Sequence, residues 1–181
     1  ITHIEEGFDF LGFNVRKYGN KLLIKPTKGN VISFLNSIRE LIKSQATAKT
    51  ENLIRLINPK LRGWANYYHH VVSKRTFSYV NSEVFRALWG RWAKRRHPNK
   101  GLRWIKRKYF CAIGLRNWVF SSHIKDKHGE YQSLELFNVA SVRIKRHVKI
   151  KSEATPYDPR YADYFKERSR KQNWGRKQTY R

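Results

Sequence analysis

Methionine is missing from all 181 residues, position 1 included. Translation starts on methionine, and isoleucine at the next position is too bulky for its routine removal. The sequence therefore predicts a piece of a longer protein. Cysteine is almost missing too. Cys111 stands alone, which excludes a disulfide within the chain and a cysteine-rich zinc site, and fits a reducing interior. No run approaches the roughly 18 apolar residues of a membrane span. The opening "ITHIEEGFDF" is acidic and mixed, unlike a secretory leader. Acids are scarce: 13 Asp and Glu stand against 39 Lys and Arg, a formal charge of +26. A small soluble domain needs a net charge of only about 2 to 8. The excess favours a polyanionic partner, and nucleic acid rather than an anionic membrane, because no amphipathic anchor is present.

Enough apolar material remains for a core, at 40% hydrophobic and 14% aromatic residues. Residues 8–25 predict a β-hairpin. Leu11, Phe13 and Val15, then Leu22 and Ile24, flank a turn at Gly19-Asn20. Residues 30–44 predict a helix capped by Asn30, with Val31, Phe34, Leu35, Ile38, Leu41 and Ile42 on one face. After the polar hinge "SQATAKT", Leu53, Ile54 and Ile57 predict a short helical piece. Asn58-Pro59 then predicts a fresh helix start, with Leu61, Trp64, Tyr68 and Val71 as its buried stripe. Gly63 in that helix predicts close approach of another backbone. A third helix, with Phe77, Val80, Val84, Leu88 and Trp92 on one face, ends at His97-Pro98-Asn99 and Gly101. Three such helices predict a compact bundle. Residues 116–137 predict a second hairpin turning near Asp126–Gly129. Residues 141–150 predict another strand and about 159–171 a helix. The fold class is α+β: an N-terminal β-hairpin, a three-helix bundle, a small β-rich module and a basic helical tail.

Between Glu83 and Asp126 there is no acid at all. Lys and Arg there have no neighbour in sequence to pair with. Cations that neutralise phosphates release counterions, which makes binding strong and salt-sensitive. Trp89, Trp92 and Trp104 lie among them, either as core residues or as platforms for unpaired bases; Trp92 sits on the apolar stripe. From charge and placement, the predicted RNA-contact set is Arg62, Lys74, Arg75, Arg91, Lys94, Arg95, Arg96, Lys100, Arg103, Lys106, Arg107 and Lys108.

Other chemistry is hard to find. His69 and His70 are adjacent, point to different helix faces and make no chelate. His97, His123, His128 and His147 show no metal spacing. No nucleophile–base set or glycine-rich phosphate loop is readable. The "YADY" of residues 161–164 is one residue away from the Tyr-Ala-Asp-Asp box of reverse transcriptases, but Tyr164 replaces its second carboxylate.

"FDFLGFNVRKY" resembles the last conserved block of a group II intron reverse transcriptase. "INPKLRGWANYYHH" with "VNSEVFRALWGRWAKRRHPNKGLRWIKRKYF" resembles the maturase-specific region of these intron-encoded proteins, also called domain X or thumb. "RIKRHVKIKSEATPYDPRYADYFKER" resembles the linker before their HNH endonuclease. The resemblance covers nearly the whole chain. It implies that residues 1–27 close a reverse transcriptase palm, 28–112 are thumb and domain X, 113–152 a β-rich module, and 153–181 a basic linker toward a further domain. It also implies a parent that is an RNA-directed DNA polymerase and splicing maturase, in a bacterial or organellar interior. Its partners would be intron RNA and an RNA/DNA template–primer duplex. The Mg²⁺-binding aspartates would lie before Ile1, so no catalytic, cofactor or metal residue is assigned to this chain. Two rivals remain: a fragment of an active polymerase without a splicing role, and a general structured-RNA-binding module such as a ribosomal accessory protein.

Overall fold

The computed structural model describes residues 2–125, 129–145 and 150–177, with residues 172–177 described by backbone alone. The chain forms two units, residues 1–146 and 147–181.

The first unit opens with strands β1 (Phe8–Phe10), β2 (Phe13–Tyr18) and β3 (Lys21–Pro26) in one antiparallel sheet. The expected hairpin is β2–β3, with Tyr18 opposite Lys21 across the two-residue turn. Gly19 there has a φ of 55°, which glycine adopts without a Cβ penalty. The extra strand β1 pairs with β2 through a turn at Leu11-Gly12.

Helix α1 (Lys28–Ser44) buries Val31, Leu35, Ile38 and Ile42, the predicted face. Its cap is not Asn30. Thr27 holds an extended conformation, and its side chain accepts the N–H of Asn30. The Asn30 amide is engaged elsewhere, donating from Nδ2 to the Tyr68 hydroxyl at 3.1 Å. That hydroxyl donates to the Gly12 carbonyl at 3.2 Å, and the Thr27 N–H also donates there, at 3.0 Å. This knot fastens the first sheet to two helices.

Helix α2 runs unbroken from Thr50 to Tyr68, straight through Pro59. The predicted restart at Asn58-Pro59 does not occur. Proline forfeits one i→i−4 bond, but the buried stripe of Leu53, Ile54, Ile57, Leu61, Ala65 and Tyr68 continues on both sides of it. Each large buried side chain is worth about 1.5–3 kcal/mol, which outweighs one lost bond. Asn58 is no cap either. Its Nδ2 donates to the Glu135 carbonyl at 3.0 Å, and its Oδ1 accepts the Phe137 N–H at 2.8 Å. Gly63 is exposed, and a Cβ there would meet nothing within 4 Å. The expected backbone neighbour is not there.

Helix α3 (Lys74–Arg86) buries Phe77, Val80 and Val84. The chain then continues as a π-helical stretch over Ala87–Ala93 and closes with one α-turn, α4 (Lys94–Arg96). The longer i→i+5 bonds of the π stretch admit both Trp92 and its neighbour Ala93 to the core, with Ala87 and Leu88. Glu83 bridges α3 to α1, meeting Arg39 at 2.8 Å while also holding Arg86.

Helix α5 (Leu102–Tyr109) leads directly into a second antiparallel sheet of β4 (Phe110–Ile113), β5 (Arg116–Lys125) and β6 (Tyr131–Glu135), with β5 central. Pairing of β5 with β6 agrees with the second predicted hairpin; residues 126–128 of its turn lie outside the described residues. The inner face brings Phe110 and Phe120 into the core shared with Trp92 and Tyr109. The strand predicted at 141–150 is not seen. Val139–Ser141 is a 3-10 turn capped by Asn138, and residues 142–145 are irregular; 146–149 lie outside the described residues. Val142 and Ile144 still pack on the core. Backbone groups of this stretch bond outside any ladder: Lys74 Nζ donates to the carbonyls of Ala140 and Val142, and the Lys145 N–H donates to the His69 carbonyl.

In the second unit, Asp158 accepts the Arg160 N–H at the head of a 3-10 turn (Pro159–Tyr161), which leads into α6 (Ala162–Lys177). The predicted helix lies within these elements. Tyr161–Tyr164 thus straddles a turn and a helix start, and Asp163 is exposed beside Lys166.

Candidate nucleic-acid interface

Helix α5 is short and almost wholly basic on its outside. Its helical period explains the arrangement. Ile105 and Tyr109, four apart, face the core at 1% and 3% exposure. Arg103 and Arg107, also four apart, fall on the opposite side and form the outer ridge. Lys106 lies on one flank. Trp104 and Lys108 lie on the other.

Each flank interleaves cations with indole rings. On the first, Lys94 Nζ lies 5.2 Å from the centre of Trp89, Trp89 meets Trp118 edge-on at 5.1 Å, and Lys106 Nζ sits 4.3 Å over Trp118. On the second, Lys108 and Lys100 lie 4.7 and 5.6 Å from the centre of Trp104, and His97 meets the same ring edge-on at 4.8 Å. The tryptophan alternatives resolve by position. Trp92 is core at 2% exposure, Trp89 is half-buried, and Trp104 is 39% exposed. Among the described residues, no ion pair engages a cation from Arg91 to Lys108. Apart from inward-turned Arg96, their charge is free to meet an external anion.

The predicted contact residues separate into three groups. Lys94, Arg95, Lys100, Arg103, Lys106, Arg107 and Lys108 gather on α4, α5 and the turn between them, and exposed Arg91 lies one turn before. Arg62, Lys74 and Arg75 lie elsewhere, on α2 and α3. The Arg62 guanidinium covers the Phe137 ring at 5.3 Å, Lys74 is tied to two carbonyls, and Arg75 is exposed. Arg96 is turned inward. It donates to the carbonyls of Ala46, Thr47 and Ala48 in the α1–α2 loop and lies 4.8 Å over Trp92, whose Nε1 donates to the Gln45 carbonyl.

Beside α5 is an open groove of about 430 Å³ lined by Lys49, Thr50, Arg96, His97, Lys108 and Tyr109, among others. Lys49 is a cation that sequence reasoning missed, because it sits in the polar hinge, far along the chain from the acid-free run. His97 titrates below the ordinary 6.5. Partial burial is the larger cause, and Lys108, Arg96 and Lys100 add to it. Trp118 was also missed, since its place beside Lys106 depends on sheet pairing. Among the described residues, no three His, Cys, Asp or Glu side chains converge to hold a metal ion, and no helix is long and apolar enough to cross a membrane.

Comparison with known proteins fits this geometry. A ribosomal operon-associated A protein from Euglena longa is 30% identical over 123 residues, which is 66% of this chain and 23% of that protein. The chain thus spans less than a quarter of that relative's length. The family model for the group II intron maturase-specific domain matches residues 31–110, from the first buried valine of α1 to the first residue of β4. Residues 31–110 are therefore similar to the group II intron maturase-specific domain.

Proposed function

We propose that this chain is the RNA-binding maturase region of a group II intron reverse transcriptase. It binds intron RNA, promotes splicing by favouring the compact RNA fold, and supports reverse transcription and mobility. The observation that carries this reading is the coincidence of the family match with the unpaired cationic surface. The matched segment ends just after α5, where Arg103 and Arg107 form the ridge and Lys106 and Lys108 the flanks. Splicing chemistry belongs to the RNA. The protein contributes phosphate neutralisation and contacts specific to shape.

The test is a binding titration of the whole chain on a group II intron RNA and on an unrelated folded RNA of equal length, over a range of salt. Preference for the intron RNA with a steep salt dependence supports the reading. Equal affinity for both favours a general structured-RNA-binding module.

One observation supports a link to a polymerase. Phe10, Leu11 and Leu22 of the first sheet are 62%, 71% and 53% exposed. Exposed apolar side chains of this kind, on the sheet and its β1–β2 turn, suit residues 1–27 as the closing edge of a palm, and the cationic helices would then serve a template–primer duplex as well.

A further inference from the structure

The strand β5 contains a strained residue on the basic face. Cys111 pairs with Val119 and Ile113 with Arg116, so Ala112 alone faces both Asn117 and Trp118. This is a β-bulge, and at it Trp118 adopts a φ of 65°. The left-handed region suits glycine and disfavours a bulky side chain. Bulges re-aim side chains, and strained residues gather at functional sites. A regular strand would put Trp118 on the same side as Phe120, which is 2% exposed. Trp118 instead remains 39% exposed.

The surroundings of the ring indicate its purpose. Trp89, Phe110 and Phe85 support it at centroid distances of 5.1, 6.0 and 6.2 Å, at angles between edge-on and tilted. Lys106 Nζ lies over the ring at 4.3 Å. Three aromatic rings thus contact the indole, and a flexible ammonium covers it.

We infer that Trp118 is a stacking platform for an unpaired base of the bound RNA, with Lys106 as the partner of the adjoining phosphate. On binding, the ammonium leaves the ring for the phosphate, and the base takes its place on the indole. Aromatic stacking tolerates any base, so the site selects unpaired nucleotides over duplex rather than a sequence. The inference rests on the RNA-binding reading above and adds a position and a class of nucleotide to it.

The probes are two RNA hairpins of the same stem, one perfectly paired and one with a single extruded adenosine. The wild-type chain is expected to bind the bulged hairpin roughly ten-fold more tightly. Trp118→Gly suits the backbone of the bulge and removes the ring. It should abolish that preference, so that the variant binds the bulged and the paired hairpin alike. Trp118→Leu keeps apolar bulk without a stacking face and should do the same, so the test holds even if one variant fails to fold. A folded variant that retains the preference overturns the inference, as does a wild-type chain that binds both hairpins equally. In both cases RNA binding itself stands. A wild-type chain that binds neither hairpin overturns both readings.

Discussion

The hydroxyl of Tyr109 lies 2.6 Å from Nε2 of His97, tying the last residue of α5 to the turn that precedes the helix. The two rings are nearly parallel. Burial pushes the Tyr109 hydroxyl above the usual phenol range, and Arg96 partly opposes that. Both partners are therefore neutral at neutral pH, beside a crowd of cations.

Acid should loosen this joint. His97 titrates lower in the fold than its ordinary 6.5, so the unfolded chain takes up its proton first as pH falls. Stability is then full above 6.5 and declines as pH drops through the folded midpoint. Ring-proton titration of His97 should give a midpoint below that of an exposed histidine. Thermal melts of His97→Phe should lose that part of the pH dependence.

Removing the amide of Asn58 should destabilise the second sheet. It holds the Glu135 carbonyl and the Phe137 N–H at once. Asn58→Ala leaves both without their partner, at a cost of about 1–3 kcal/mol. Denaturant unfolding measures this, and amide exchange at Phe137 should rise with it.

The glycines should respond in opposite directions. Gly12 has a φ of 81°, and a Cβ there would come within 2.1 Å of Asn30 Nδ2 and 2.9 Å of the Tyr68 hydroxyl. Gly12→Ala should cost at least about 1–3 kcal/mol. Gly63→Ala meets open space and should gain about 1 kcal/mol from helix propensity. Melting of the two variants side by side checks both signs.

Cations of the outer ridge should separate cleanly from those used inside. Arg103→Ala with Arg107→Ala should reduce the slope of log affinity against log salt by about 0.7–0.9 for each phosphate no longer neutralised. Stability should shift by no more than about 0.5 kcal/mol. Arg96→Ala should instead lower the melting temperature, because it strips the carbonyls of residues 46–48 of their donor. Equal melting losses in both variants would contradict this division.

The legible parts of the fold are those governed by local period. The stripe Val31–Leu35–Ile38–Ile42, the stripe Phe77–Val80–Val84 and the turn at Gly19-Asn20 appear where the residues place them. The misread parts depend on partners distant in sequence. Asn58 looks like a cap until Glu135 and Phe137 claim its amide. Residues 142–145 alternate like a strand, but they meet α3 and the end of α2 rather than another strand. Helix α5 is hidden by its own charge, since only Ile105 and Tyr109 mark its period. The cationic run itself is plain in the residues. The inward turn of Arg96 and the outward aim of Trp118 are not, because a loop carbonyl and a bulge decide them.

The π-helical stretch at Ala87–Ala93 carries one consequence for how this surface can change over time. Each residue of a helix advances the side chains by about 100°. Loss of a single codon there would let the stretch close to α geometry while Lys94, Arg95 and Arg96 keep nearly their present direction, because the wider π turn holds one residue more over the same rotation. A change of one residue in length is thus absorbed inside the turn: it alters how Trp92 and Ala93 share the core and spares the aim of the cations beyond them.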